Sequence, residues 1–313
     1  VNVRLKRIIF HIDVNAAYLS WEAVYRLAHR GEKVDLRTIA SAVGGDVSAR
    51  RGIILAKSIP AKRYGIKTGE TLLEARRKCP DLVIVPPDYG LYEKCSAAFM
   101  DILRDYSDAV EPYSIDEAYI DMSASCHLFG TPEEAAAQIR DRIREELGFT
   151  VNVGVSANKL LAKMASDFRK PDQVHTLYPE EIPEKMWPLP VSELFFVGRA
   201  TAGKLLSMGI RTIGELAACD PAWLKRVLKK HGEVIWGFAN GIDPSPVAAS
   251  GGSYTIKPGA PADAGAGLSA GASSGGNKGY GNSSTKPYDV MDAQTAKQTL
   301  MALSETLARR LRA

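Results

Sequence analysis

The sequence predicts a mixed α/β fold, of the α+β kind, in which helices pack on a sheet and an all-helical region follows. Up to about residue 178, short apolar segments with strand character alternate with amphipathic helical segments, and one pair of adjacent segments has the spacing of a β-hairpin. From about residue 179 the pattern is purely helical. Residues 250–276 are mostly Gly, Ala and Ser, a composition that indicates a flexible linker.

Five predicted elements precede residue 86. Residues 5–13 form an apolar, β-branched segment that ends in an acid, which is typical of a buried strand. Apolar side chains at helical spacing predict a helix over residues 15–29, and residues 43–67 have the pattern of short mixed strands. The other two elements are a helix over residues 70–78 and a strand over residues 82–85.

A helix over residues 89–106 is followed by a predicted hairpin, whose strands span residues 110–115 and 118–122. Two acids, Asp116 and Glu117, occupy the turn between these strands. The hairpin therefore presents two carboxylates at the rim of the sheet.

Capping signals mark the next helix. Residues 131–134, Thr-Pro-Glu-Glu, have the capping-box pattern with proline at the first helical position, and Gly148 ends the helix. Residues 151–155 alternate in polarity as a half-buried strand does. Residues 159–168 form another amphipathic helix, which closes the alternating region.

Composition and charge exclude several classes of protein without selecting one. Hydrophobic residues make up 45% and charged residues 24% of the chain, as in ordinary globular domains. The net charge of +4 permits a nucleic-acid partner without requiring one. The four cysteines form no C-x-x-C pair, so neither a zinc motif nor a disulfide framework is supported. No apolar run reaches the roughly 18 residues of a membrane span, and we expect a cytoplasmic monomer.

Three acids are the strongest candidates for a catalytic site. Asp13 ends the first strand, and Asp116 and Glu117 lie in the hairpin turn. Three convergent carboxylates suit Mg²⁺, which prefers hard oxygen ligands, and two such ions about 4 Å apart can bind both oxygens exchanged in a phosphoryl displacement. Spacing alone also allows solvated turn acids with no catalytic role, because about a hundred residues separate Asp13 from the pair.

Two segments resemble the acidic motifs of the Y-family, or translesion, DNA polymerases, and most closely those of the bacterial DNA polymerase IV group. They are residues 10–18, FHIDVNAAY, and residues 113–121, YSIDEAYID. The resemblance implies a template-directed, low-fidelity polymerase for lesion bypass, which adds dNTPs to a primer–template with two Mg²⁺ ions, or Mn²⁺ as a substitute. It implies that the metal ligands are Asp13, Asp116, Glu117 and the Val14 carbonyl. Asn15 departs from the family, in which an acid is common there.

The same resemblance implies four residues that bind the incoming nucleotide. Tyr18 matches the steric gate that excludes a 2′-hydroxyl, although a core aromatic would give the same pattern. Residues 58–65 resemble the segment that grips the triphosphate, with Lys62 in place of an arginine and Arg63 beside it. Lys170 matches the family's second triphosphate lysine. A solvated surface charge is the alternative interpretation for each lysine.

Residues 196–216 resemble a helix-hairpin-helix that binds DNA phosphates. Gly198 would free the hairpin backbone so that amides at a helix N-terminus face a phosphate, and Arg199, Lys204 and Arg211 would add positive charge. A simple helical hairpin with a glycine turn is the alternative.

The resemblance also implies a domain order. The predicted domains are a ferredoxin-like palm at 1–16 and 88–177, fingers at 17–87, an all-helical thumb at 178–244, a linker at 245–276, and the start of a little-finger domain at 277–313. Within the last of these, residues 280–290 and a helix over residues 293–311 cannot bury a core alone, so we expect a truncated domain. A sliding clamp is an expected partner of the full-length protein, but its binding motif is not present here.

Two other functions remain open at this stage. A nucleotidyl cyclase can be built on a similar palm, although the helix-hairpin-helix and the predicted steric gate argue against it. A non-enzymatic DNA-binding module, inactive through truncation, is the second alternative. The pattern does not indicate which lesions are bypassed or whether the truncated chain is active.

Overall fold

We describe the computed structural model over residues 7–45, 52–248 and 289–312, with side chains as far as residue 309. The predicted linker at 250–276 and the predicted start of the little finger at 277–288 lie outside the described residues. The strands are β1 (Ile9–Val14), β2 (Ser41–Gly44), β3 (Ile54–Lys57), β4 (Val83–Val85), β5 (Val110–Pro112), β6 (Glu117–Asp121), β7 (Val151–Ser156) and β8 (Val174–Thr176). The helices are α1 (Ala17–His29), α2 (Ile59–Arg63), α3 (Leu72–Lys78), α4 (Tyr89–Arg104), α5 (Pro132–Leu147), α6 (Lys159–Asp167), α7 (Arg199–Ser207), α8 (Ile213–Ala217), α9 (Pro221–Leu228), α10 (Lys230–Ala239) and α11 (Ala293–Arg312).

The described residues divide into two compact units. The first runs to Tyr25 and resumes at Tyr89, so it contains the larger sheet and helices α4–α10. The second contains Arg26–Asp88 and the C-terminal helix α11.

A five-stranded sheet in the order β5-β6-β1-β7-β8 forms the centre of the first unit. Strand β1 is antiparallel to both of its neighbours, β6 and β7, and β8 is parallel to β7. Phe10, Ile12 and Val14 pack in the core shared with α4 and α5, whereas Ile9 packs with Ala162 of α6. The mixed sheet covered by helices confirms the predicted fold class. Because both faces are covered, every residue of β1 is buried.

The prediction of a half-buried strand at residues 151–155 is wrong. All six residues of β7 are buried, because α5 covers one face and α6 covers the other. Gly154 is where α6 comes closest, since a Cβ there would lie only 2.0 Å from the carbonyl oxygen of Ala162. A strand that is covered on both faces can place polar residues inside the molecule only if they find partners, and Asn152 is such a residue.

Local capping chemistry determines where the helices begin and end. Helix α5 has the predicted capping box, Thr131 with Glu134, and ends at Gly148 in a left-handed conformation with φ of 73°. Helix α3 begins at Leu72 rather than at residue 70, because Thr71 caps it. Helix α1 begins at Ala17 rather than at residue 15, because Ala16 has φ of 48° and interrupts the helical backbone.

The second unit contains a three-stranded sheet, β3-β2-β4, with α2 and α3. The prediction of mixed strands over residues 43–67 is only partly right, because residues 59–63 form helix α2. Ser58 caps this helix by accepting a hydrogen bond from the amide of Ala61, and Pro60 occupies its first turn. The C-terminal helix α11 confirms the helix predicted over residues 293–311.

Helices α7–α10 pack around an apolar cluster that includes Leu205, Leu216, Leu224 and Ile235. This confirms the predicted change from alternating to purely helical structure. No helix among the described residues is both long enough and apolar enough to span a membrane. All four cysteines are free thiols.

Candidate active site

The sheet brings together the three acids that are far apart in the chain. In the β1–β6 ladder Asp13 lies directly opposite Glu117, so that both side chains point to the same face. The amide of Val14 donates to the carbonyl oxygen of Asp116 at 2.9 Å, which holds the hairpin turn against the end of β1. The structure therefore places Asp13, Asp116 and Glu117 at one end of two paired strands.

Two lysine ammonium groups lie among these carboxylates. Lys170 Nζ is 2.8 Å from Asp13 Oδ1, as the resemblance placed it near the site. Lys163, which the sequence analysis missed, lies 3.0 Å from Glu117 Oε1 and 3.5 Å from Asp13 Oδ2. In the described ranges, no three acidic, histidine or cysteine side chains lie close enough together to hold a metal ion as they stand.

Burial sets the protonation behaviour of the acids. Desolvation raises the pKa of Asp116 to about 6, and the neighbouring charges of Glu117 and Asp13 add to this effect, whereas the Ser114 hydroxyl opposes it. Burial also raises the pKa of Asp13, although Lys170 and Lys163 act in the opposite direction. Carboxylates whose charge is disfavoured in this way gain from a nearby cation, so the donor set has the chemistry of a divalent metal site.

His11 lies beneath Glu117 and is completely buried. Its Nδ1 is 2.8 Å from Ser166 Oγ, and that hydroxyl donates to the carbonyl oxygen of Lys163, so Nδ1–H donates to Ser166. The other ring nitrogen, Nε2, is 3.6 Å from Glu117 Oε2 and lacks a hydrogen-bond partner among the described residues. Burial, followed by the charge of Lys163, lowers the pKa of His11 well below its ordinary value, which keeps the ring neutral.

A buried pair of amides connects β1 to the segment that carries Lys170. Asn15 Nδ2 donates to Asn152 Oδ1 at 3.2 Å, and Asn15 Oδ1 accepts from the backbone amide of Asp172 at 2.9 Å. Asn152 Nδ2 in turn donates to the carbonyl oxygen of Arg169 at 2.6 Å. These bonds bracket Lys170 on both sides, so they fix its backbone beside Asp13. An amide at position 15 supplies both the donor and the acceptor that this network uses.

Tyr18 is partly buried near the start of α1. Its ring stacks on that of Tyr92, with centroids 4.4 Å apart and planes 11° from parallel, and Tyr89 meets it edge-on. The hydroxyl of Tyr92 donates to Glu22 Oε1 at 3.0 Å inside the core. The stack therefore fixes the orientation of the Tyr18 ring, while its role as a steric gate stays a prediction.

The remaining predicted nucleotide ligands lie in the second unit. Lys62 and Arg63 are exposed in the last turn of α2. Their exposure is compatible with phosphate binding and with an ordinary solvated surface, so their role also stays a prediction.

Within the predicted segment, α7 and α8 are joined by a turn at Gly209, and the role of this helical hairpin in DNA binding stays a prediction. Arg199, Lys204 and Arg211 are all exposed on it. The expectation for Gly198 is wrong in one respect, since its φ of −74° is open to any residue. The unusual backbone belongs to Phe196, whose φ is 74° and whose side chain is 37% exposed.

Comparisons with known proteins agree on one family. The sequence model of the impB/mucB/samB family matches residues 12–167, and that of the IMS family HHH motif matches residues 179–210. A DNA polymerase IV from Clostridium acetobutylicum is 44% identical over 308 residues, which cover 98% of this chain and 72% of that protein. This chain belongs to the Y-family of DNA polymerases, in the DNA polymerase IV group. A second DNA polymerase IV, from Acetivibrio thermocellus, is 41% identical and is covered over 70% of its length.

Solved structures give the same family. A Y-family DNA polymerase chimera superposes with a TM-score of 0.68 at 25% identity, over 77% of this chain and 69% of that one. The DinB protein of Sulfolobus solfataricus has a TM-score of 0.67 at 26% identity, with the same coverage of both chains. These similarities and the helix-hairpin-helix match confirm the resemblance that the acidic motifs indicated.

Membership of the family decides between the functions that the sequence left open. The chain is a DNA-directed DNA polymerase of the translesion class, and neither a nucleotidyl cyclase nor a non-enzymatic module is favoured. Y-family polymerases are metal-dependent nucleotidyltransferases, and the carboxylate oxygens at the end of β1 fit that requirement.

Proposed function

We propose that the three carboxylates at the end of β1 and β6 are the nucleotidyl-transfer centre, at which dNTPs are added to a primer 3′-hydroxyl opposite a DNA template. The observation that carries the proposal is the pairing of Asp13 with Glu117 across the ladder, with Asp116 held against Val14. A strand end and a hairpin turn bring acids from two distant motifs to one point, where a triphosphate and a primer terminus can meet.

Asp13, Asp116, Glu117 and the carbonyl oxygen of Val14 would hold two Mg²⁺ ions, for which Mn²⁺ can substitute. Bound ions of this kind polarise phosphoryl oxygens and stabilise charge that develops on the attacking and leaving oxygens. The chain's own contribution is to hold hard oxygen donors in a fixed and largely buried position. The burial of Asp13 and the desolvation that raises the pKa of Asp116 support this proposal, because both make the charged forms depend on added positive charge.

Three basic residues and one aromatic ring would bind the nucleotide. Lys170, already beside Asp13, would neutralise triphosphate oxygens, and Lys62 and Arg63 would add charge from α2. The Tyr18 ring would pack under the sugar, where the stacked Tyr92 supports it. Lys62 supplies a point charge without the two-pronged geometry of an arginine, so its grip on phosphate would be less directional.

We further propose that the helical hairpin grips the duplex without selecting its sequence. Gly198, Arg199, Lys204 and Arg211 would contact backbone phosphates, which positions DNA in a way that suits a polymerase. In this scheme the palm spans 1–16 and 88–177, the fingers 17–87 and the thumb 178–244, with a linker at 245–276 and a little finger from 277. The protein would act as a cytoplasmic monomer, with a sliding clamp as a partner.

Primer extension tests the proposed centre. The wild-type chain, Asp116→Asn and the control Asp101→Asn are compared on a labelled primer–template with dNTPs and Mg²⁺; the Asp101 side chain is 72% exposed on α4. We expect extension by the wild type and by the control, and a loss of at least about 100-fold in Asp116→Asn. Unchanged extension by Asp116→Asn would remove Asp116 from the centre. DNA binding without extension by the wild type would instead support the inactive module.

A further inference from the structure

We propose that Lys163 is a positioning residue, which holds Asp13 and Glu117 together before divalent cations bind and then stays paired with Asp167. The inference rests on the proposed function of these two acids. Lys163 is only 8% exposed, and its one ammonium group reaches three carboxylates. The distances are 3.0 Å to Glu117 Oε1, 3.3 Å to Asp167 Oδ2 and 3.5 Å to Asp13 Oδ2.

Asp13 and Glu117 need a shared cation in the absence of metal. They are directly opposite residues of an antiparallel pair, where like charges destabilise the sheet. Both are largely shielded from solvent, which strengthens their repulsion. Lys163 lies between them, so its ammonium group offsets their repulsion in the metal-free chain, as a divalent ion would when bound.

The position of Lys163 is fixed by close packing. Helix α6 lies so near β7 that a Cβ on Gly154 would be 2.0 Å from the Ala162 carbonyl oxygen. The backbone carbonyl of Lys163 also accepts a hydrogen bond from Ser166, whose hydroxyl binds the buried ring of His11 in β1. The helix that carries the lysine is therefore locked to the strand that carries Asp13.

Lys170 is more exposed to solvent than Lys163. Its side chain is 36% exposed, whereas that of Lys163 is 10% exposed, so Lys170 can turn towards a nucleotide and Lys163 cannot leave the site. Asp167 lies one turn after Lys163 on α6 and pairs with both lysines. It offers each ammonium a partner that is not one of the proposed metal ligands. A cation entering between Asp13 and Glu117 would displace Lys163 only as far as Asp167.

Two measurements on the whole chain without DNA test the inference. Electron paramagnetic resonance measures the affinity for Mn²⁺, and thermal unfolding in EDTA measures the stability of the metal-free protein. We expect Lys163→Met to bind Mn²⁺ about tenfold more tightly than the wild type, because the ion no longer competes with an ammonium. We also expect this variant to unfold at a lower temperature in EDTA. The control Lys185→Met removes a half-buried lysine paired with Glu181, outside the acidic centre, and should leave the Mn²⁺ affinity unchanged. Equal or weaker Mn²⁺ binding by Lys163→Met would overturn the inference.

Asp167→Asn provides a second test of opposite sign. Without Asp167 both lysines have fewer alternative partners, so we expect Mn²⁺ to bind more weakly than to the wild type. This variant decides the question if Lys163→Met fails to fold; tighter or unchanged binding of Mn²⁺ would count against the inference.

Asp116→Asn distinguishes a failure of the inference from a failure of the proposed function, because Asp116 does not contact Lys163 in the described structure. If Asp116→Asn binds Mn²⁺ as the wild type does, the proposed metal centre itself is wrong.

Discussion

At the scale of single residues, the candidate site is a place where carboxylates are kept in surroundings that disfavour their charge. Burial raises the pKa of Asp116 from 3.8 to about 6, although hydrogen bonds from the Ser114 hydroxyl and from the Asp116 backbone oppose the shift. The metal-free chain therefore loses stability at this residue when Asp116 ionises. Such a cost is typical of functional sites, where binding of a ligand later compensates for it.

This reasoning predicts how Asp116→Asn changes stability. A pKa that is raised on folding gives stability that is present below pH 3.8 and is lost as pH rises through about 6, by at most about 1.4 kcal/mol per pH unit. Asparagine does not ionise, so we expect Asp116→Asn to stabilise the chain in EDTA at pH 7.5 and to have less effect at pH 5. Thermal unfolding at the two pH values measures this, with Asp101→Asn as the exposed control. Equal effects at both pH values would contradict it.

A second residue-scale prediction concerns the stacked Tyr18 ring. If the ring lies under the sugar of the incoming nucleotide, Tyr18→Ala should admit the 2′-hydroxyl and raise ribonucleotide incorporation by at least about tenfold relative to deoxyribonucleotides. Tyr18→Phe keeps the ring and should retain the discrimination. The measurement is the ratio of kcat/KM for each nucleotide type with one template base. An unchanged ratio in Tyr18→Ala would exclude this residue as a steric gate.

At the scale of elements, the contact between β7 and α6 determines where Lys163 lies. Gly154 allows the strand and the helix to touch, because any Cβ there would meet the backbone of Ala162. Backbone atoms cannot move aside as the end of a flexible side chain can. The close packing of α6 on β7 therefore positions Lys163 in the site as well as filling the core.

Gly154→Ala should consequently separate α6 from β7. We expect a loss of about 1–3 kcal/mol in the free energy of unfolding, or more, because the overlap is with backbone. The matched control is Gly203→Ala, since a Cβ at Gly203 meets nothing within 4 Å and alanine favours the helix by roughly 1 kcal/mol. Urea unfolding followed by circular dichroism compares the two variants. Similar stability changes in both would show that the contact at Gly154 is not decisive.

At the scale of the whole molecule, the chain combines a largely buried acidic site with exposed basic residues on the helical hairpin. Arg199, Lys204 and Arg211 are exposed, and the net charge of the chain is only +4, so DNA binding must depend on where the charges lie. Phosphate contacts of this kind release counterions, and the affinity then falls as salt is added.

This predicts a measurable dependence of DNA affinity on salt. Fluorescence anisotropy with a labelled primer–template should give a straight line of log affinity against log salt concentration, whose slope becomes less steep by about one in Lys204→Gln. Lys185→Gln removes a lysine that already pairs with Glu181 and should leave the slope unchanged. The same slope in Lys204→Gln and the wild type would exclude Lys204 as a phosphate contact.

Short-range chemistry made much of the molecule predictable. The capping box at Thr131, the acid at the end of β1, the hairpin that follows α4 and the C-terminal helix all depend on residues within a few positions of one another. The two acidic motifs are also local strings, and they led to the correct family. The predicted start of α1 was wrong because the backbone departs from its usual conformations at Ala16.

What the chain pattern could not provide is the partner of each buried polar group. Lys163 is one charged residue among apolar neighbours in α6, His11 is one polar residue in an apolar strand, and Asn15 is a departure from the family motif. Their roles depend on atoms between 46 and 157 residues away in the chain, brought within hydrogen-bonding distance by the β1–β6 and β1–β7 pairings. Local preference selects helices and strands, but electrostatic and hydrogen-bond energies depend on distances in space, which exist only after the sheet has formed.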